Sequence, residues 1–217
     1  MKDYNVNYVE GDFSLDENLN WHLSEPDLVD EWPWHSAKLP LPPVVKFSVL
    51  YSDKYLYVKF IVKEKFIRAQ FTELNSPVCK DSCVEFFVSP NNKGYFNFEV
   101  NCIGTIHLKF GAERHNRVPI DKQLINLIET YTTLPKSVPI KNSIALNNEY
   151  VVAYKIPFLI FKDAARAEKP VSGSLWKANF YKCGDETKDP SWGCWNKVET
   201  EEPDFHRPEY FGNLTFV

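Results

Sequence analysis

The sequence predicts an all-β protein, an antiparallel β-sandwich with one or two short helices. Three observations carry that expectation. Stretches of alternating apolar and polar residues recur along the chain between turn signals. Aromatic residues reach 15%, with 6 Trp, 11 Tyr and 16 Phe, a composition suited to strands. Helical periodicity is confined to two short segments. At 217 residues, with 44% hydrophobic and 25% charged, the chain suffices for one well-cored domain. It reads as a single unit over 1–217, with 1–29 a lead-in or first strand.

The elements follow in order. "LPLPPVVKF" is a stiff Pro-rich lead-in to a strand. "VVKFSVLY", a turn at "SDK" and "YLYVKFIVKE" form a hairpin, with Leu56, Val58, Phe60 and Val62 sharing one face. "CVEFFVSPNNKGYFNFEVN" is a second hairpin, turning about Asn92. "TIHLKFG" places Ile106, Leu108 and Phe110 on one face. "NEYVVAYKIPF", "SLWKANFYKCGD" and "YFGNLTFV" read as further strands. In "DKQLINLIETY", Leu124, Leu127, Ile128 and Tyr131 fall at helical spacing behind an Asp121 cap. "PFLIFKDAARA" starts a second helix at Pro157.

Charge and motifs narrow the function. The net charge is −4 and no basic cluster exists, which argues against nucleic-acid binding. No apolar run follows Lys2 and no stretch of about eighteen apolar residues occurs, so neither a signal peptide nor a membrane span is expected. The chain as given reads as soluble and cytoplasmic, or exported if a leader has been removed. The five cysteines are an odd number, which argues against a disulfide framework. Cys79 and Cys83 have C-x3-C spacing but no Cys/His partner at finger-like distance, so reduced, partly buried thiols are expected. The nucleophile-elbow, zinc-protease, P-loop and dinucleotide motifs are absent, and the five histidines are scattered.

The second hairpin carries the candidate site. Folded about Asn92, it opposes Val88 to Phe96, Phe86 to Phe98 and Val84 to Val100 on an apolar face. The reverse face opposes Glu85 to Glu99, with Asn97 and Asn101 beside them. Like charges directly opposite on a sheet are destabilising, so this pair needs a reason: a shared proton, a bridging cation (Lys182 if its strand bends, or Lys59), or ligand hydroxyls. Carboxylates and amides suit hydroxyl-rich ligands, and a solvated outer face is the plainer alternative. Trp192 and Trp195, in the polar loop "CGDETKDPSWGCWNK", are candidates to stack on a sugar ring. Trp32 and Trp34 read as caps on the core. Trp176 alternates with Ala178 and Phe180 toward the core, which puts Asn179 and Tyr181 on the reverse face.

The motifs "DSCVEFFVSP", "YFNFEVNCIGT", "LWKANFYKCGD" and "FHRPEYFGNLTFV" together resemble family 9 carbohydrate-binding modules, in particular a bacterial branch of stand-alone proteins. The resemblance spans roughly residues 30–217. It implies a β-sandwich with a mono- or oligosaccharide site on one sheet, and possible structural calcium. By the same resemblance, Glu85, Asn101 and Asn179 are polar sugar contacts. Glu99 departs from the basic residue of the sugar-binding pattern, and "PVCK" stands where one sandwiching Trp belongs. The candidate binding set is therefore Glu85, Asn97, Glu99, Asn101, Asn179, Lys182, Trp192 and Trp195, with no catalytic residue. Two alternatives stand beside it: a sandwich that has lost its sugar site, and, more remotely, a glycosidase using Glu85 and Glu99.

Overall fold

The computed structural model describes residues 1–16, 20–35, 40–147 and 149–217. Its strands are β1 (Asp3–Tyr8), β2 (Asp27–Leu28), β3 (Val44–Tyr51), β4 (Tyr55–Lys63), β5 (Phe66–Ala69), β6 (Cys83–Ser89), β7 (Tyr95–Asn101), β8 (Ile106–Gly111), β9 (Val118–Pro119), β10 (Glu129–Thr132), β11 (Ile140–Ala145), β12 (Tyr150–Pro157), β13 (Leu175–Cys183), β14 (Trp192–Cys194) and β15 (Gly212–Phe216). Two helices, α1 (Lys122–Ile125) and α2 (Phe158–Ala165), complete the regular structure with three short 3-10 turns.

The strands form one curled sheet in the order β10-β12-β4-β3-β1-β15-β13-β6-β7-β8-β9, with β2 on β3, β14 on β13, and a separate β5–β11 pair. The alternating segments pair as their faces require. Val44–Tyr51 runs against Tyr55–Lys63, and Leu56, Val58, Phe60 and Val62 are all fully buried. The sheet is mostly antiparallel but mixed, because β1 lies parallel to both its neighbours, β3 and β15. Hairpin turns give antiparallel pairs, whereas β1 reaches both partners through long connections that permit parallel pairing.

The two halves face each other across an aromatic core. Phe47 of β3 stacks on Phe180 of β13 at 3.7 Å between ring centroids, and Phe60 and Phe86 flank Phe180 at 6.1 and 5.0 Å. Helix α2 closes one end, its Phe161 reaching Phe96 at 5.0 Å and Trp176 at 5.1 Å.

The expected helix over 121–131 is only α1. Asp121 does cap it, accepting from the Gln123 N–H at 2.7 Å. Beyond Asn126 the chain becomes β10, paired with β12 from Glu129 opposite Lys155 to Thr132 opposite Val152. Edge pairing and the Thr/Tyr composition of this segment outweigh its helical spacing, and Leu127 is left 47% exposed. Pro157 precedes α2 as its cap residue, and Arg166 ends the helix in the left-handed region (φ 52°). Among the described residues, no helix is long and apolar enough to cross a membrane.

Candidate functional site

Strands β6 and β7 pair in the register that alternation requires: Glu85 opposite Glu99, Phe87 opposite Asn97, Cys83 opposite Asn101. On the other side of β6, β13 places Tyr181 opposite Glu85 and Cys183 opposite Cys83. One face of these three strands therefore carries carboxylates, amides and thiols together.

That face is not an open polar surface. The Val78–Lys80 turn and the chain after β13 fold over it, packing Val78, Val198, Phe205 and Phe211 around Phe87, Tyr95 and Tyr181. Tyr181 stacks on Phe205 at 4.2 Å. A cleft of about 120 Å³ remains, lined by Glu85, Glu99, Cys79, Cys183, Asp185 and Trp192, and also by Arg114, Asp204 and His206.

Within it, the Cys183 thiol donates to Glu85 Oε1 at 3.0 Å. The Asn97 amide donates to Glu99 Oε1 at 2.6 Å. Burial, reinforced by the facing Glu99 charge, holds the Glu85 carboxyl well above the usual carboxylate range. Trp192 sits half-buried at the rim, its indole N–H donating to Asp185 Oδ1 at 2.8 Å. His206 packs on Phe87 at 5.0 Å, and Tyr95 Oη lies 3.0 Å from its Nδ1. Burial and the Arg117 and Arg114 charges push its pKa down to about 2.

Several expected site residues lie elsewhere. Lys182 does not bridge the carboxylates. It follows strand parity to the opposite face, where it is fully buried and ion-paired to Glu64 at 3.1 Å, with Cys183 O at 2.7 Å. Lys59 lies on the other half of the sheet, its Nζ 5.3 Å from the Trp21 ring. Trp195 is not a rim residue: it is fully buried between the halves, edge-on to Phe180 at 5.6 Å, with its N–H on Asp27 at 2.7 Å. Its seat requires Gly212, since a Cβ there would lie 2.4 Å from the Trp195 ring.

The amides are also committed internally. Asn101, fully buried, donates to Phe71 O at 2.8 Å and Asp81 Oδ2 at 2.9 Å, and accepts from the Thr105 N–H. Asn179 exchanges hydrogen bonds with the Asn196 backbone at 2.8 and 2.9 Å. Asn97 supports Glu99 from behind. The cleft thus gathers Glu85, Glu99 and Trp192 and leaves Asn97, Asn101, Asn179, Lys182 and Trp195 outside its lining.

Cys183 and Asp185 were accessible by extending the period of β13 past Tyr181. Cys79 stands in the "PVCK" turn and His206 in the "FHRPEYFGNLTFV" motif, but neither motif marks them as cleft residues, and Arg114 comes from a loop with no sequence signal. Chemically, the cleft offers carboxylate acceptors, an indole face and a guanidinium, a set suited to a polar, hydroxyl-bearing ligand.

The sequence profile of carbohydrate-binding family 9 matches residues 14–216. A candidate carbohydrate-binding protein from Bacteroides uniformis is 28% identical, with a TM-score of 0.88 over 100% of this chain and 99% of that one. A family 9 module from Caldicellulosiruptor kristjanssonii, solved with glucose, is 16% identical with a TM-score of 0.66 over 100% of this chain and 96% of that one. The same organism's family 9 module solved with cellotriose gives 16% and 0.64, over 99% and 93%. No curated protein matches the chain. The family is one of binding modules rather than enzymes. With the profile spanning nearly all of its length, this chain belongs to carbohydrate-binding family 9.

Proposed function

We propose that the protein is a non-catalytic sugar-binding module whose cleft takes a single ring at the end of a mono- or oligosaccharide. The observation that carries this reading is the placement of Glu85 and Glu99 on the floor of a cleft with Trp192 at its rim. The carboxyls accept from sugar hydroxyls, while the indole covers the apolar face of the ring. The small volume fits a chain terminus better than a length of polysaccharide. The glucose and cellotriose of the related modules support a saccharide as the ligand class, and a role in polysaccharide utilisation accords with it.

A second reading, a sandwich that no longer binds sugar, draws on Asn101 and Asn179 being spent on internal hydrogen bonds. One experiment separates the two. Calorimetry and amide chemical shifts are followed while glucose, cellotriose and a glycan panel are titrated in. The binding reading expects saturable shifts around Glu85, Glu99 and Trp192, abolished by Trp192→Ala. Saturating ligands that give neither heat nor shift across the panel leave only the second reading.

A further inference from the structure

Below the cleft, the Cys83 and Cys183 sulfurs and a Glu85 carboxylate oxygen lie within 4.8 Å of one another. All three residues are buried, at 0%, 1% and 3% exposure. They sit on adjacent strands, with Cys83 and Cys183 directly opposed in register and Glu85 two residues along from Cys83. Among the described residues no cation ion-pairs with Glu85: the nearby Lys182 is turned away to Glu64. A buried carboxyl with no paired cation stays protonated unless a cation or a metal supplies the missing charge, and here a second carboxylate, Glu99, faces the first.

We propose that Cys83, Cys183 and Glu85 form a binding site for a thiophilic divalent cation of the zinc type. Zinc takes Zn–S bonds of about 2.3 Å and Zn–O bonds of about 2.0–2.2 Å, which sets tetrahedral ligand atoms roughly 3.5–3.8 Å apart. The group spans that separation, from 3.0 Å between Cys183 Sγ and Glu85 Oε1 to no more than 4.8 Å, so side-chain adjustments of about 1 Å close it without moving a strand. The donor set selects the metal. Two sulfurs suit zinc and disfavour calcium or magnesium, which take oxygen ligands. Calcium therefore does not fit these three residues.

The ion has a way in. Glu85 and Cys183 line the cleft, so the fourth position opens toward it and toward Cys79 and Glu99. Three protein ligands with one open position is the arrangement of zinc sites that take a water or another small ligand in the fourth place. The surplus negative charge of two thiolates and a carboxylate faces Arg114 in the same cleft and Arg117, whose buried Nη1 has no hydrogen-bond partner. On binding, the two thiol protons and the Glu85 carboxyl proton leave to solvent, and two metal–sulfur bonds and one metal–oxygen bond replace bonds from the ion to water, with no change of oxidation state.

The site is tested with Co²⁺ on the whole chain, reduced and free of glycan, so the outcome is independent of sugar binding. One equivalent of Co²⁺ is expected to raise a thiolate-to-cobalt charge-transfer band that Zn²⁺ abolishes. Cys83→Ser and Cys183→Ser each lower the band by about half, as two sulfur ligands require. Glu85→Gln keeps the band, since both sulfurs remain, and weakens the affinity for Co²⁺. Cys194→Ser leaves it unchanged. If the cysteine variants misfold, the Cβ carbon shifts of Cys83 and Cys183 in the unaltered chain move together on adding Zn²⁺. The proposal is overturned by no band at excess Co²⁺, by a band that survives loss of both cysteines, or by shifts confined to other cysteines and histidines.

Discussion

Asn97 donates to Glu99 Oε1 at 2.6 Å from two residues earlier on the same strand face, while its own Oδ1 is held by the Lys109 N–H at 3.1 Å. The amide is thus fixed on one side and fixes the carboxylate on the other. Glu99 keeps a second oxygen for whatever enters the cleft. A hydrogen bond to a charged group contributes about 1.5–3 kcal/mol, and about 1.4 kcal/mol is tenfold in affinity. Asn97→Ala is therefore expected to weaken glycan binding by about tenfold, measured by calorimetry, in a chain that still folds.

Lys182 and Glu64 make a second buried polar pair on the opposite face, with the Tyr150 hydroxyl also donating to Glu64. Removing one partner strands the other charge in the core. Lys182→Met is expected to lower stability by about 3–5 kcal/mol in urea unfolding. Adding Glu64→Gln removes the stranded charge and recovers most of the loss. Equal instability of the single and double variants would show that the pair itself is not the cause.

Gly212 is a site of close approach. A Cβ added there meets the Trp195 ring at 2.4 Å and Lys2 O at 2.7 Å, and the second contact is rigid backbone. Gly212→Ala is expected to cost about 1–3 kcal/mol by overpacking. Trp195→Phe in the same chain relieves only the ring contact, so recovery in thermal unfolding is partial.

His206 sets a pH dependence of stability. Its folded pKa, lowered to about 2, lies below the ordinary histidine value of 6.5. The unfolded chain therefore binds the proton first, and stability falls as pH drops below about 6.5. One group contributes at most about 1.4 kcal/mol per pH unit in that window. Its neighbours are Tyr95, Arg117 and Arg114, with His107 and His115 further out, and the cations among them oppose protonation. His206→Gln is expected to flatten the change in urea midpoint between pH 7 and pH 5. The comparison cancels groups common to both chains, including Glu85, whose raised pKa acts in the opposite sense.

Local periodicity made much of this molecule legible. The β6–β7 register, the buried face of β4 and the Asp121 cap all follow from alternation or spacing within a few residues. The same logic put Lys182 on the inner face, and a bent strand invoked to bring it outward does not occur. What escaped was set by partners distant in the chain. Trp195 reads as a loop residue until β14 pairs with β13 and carries it inside. Cys183 reads as an ordinary thiol until β13 sets it against Cys83. The layer over the polar face comes from the Val78–Lys80 turn and from irregular chain after β13, neither of which shows strand or helix periodicity, so a cleft replaced the expected open surface.

The parallel placement of β1 has a kinetic consequence. Each half of the sheet contains a local hairpin, β3–β4 in one and β6–β7 in the other, able to form early from nearby sequence. The seam between the halves depends on β1, whose partners run from Asp3 opposite Asn213 on one side to Tyr8 opposite Tyr51 on the other. Bringing those ends together costs loop-closure entropy before any contact offsets it, which makes such pairings slow. The topology therefore predicts two hairpin-seeded pieces joined late through β1, with the β1 pairings forming after the hairpin that carries the cleft.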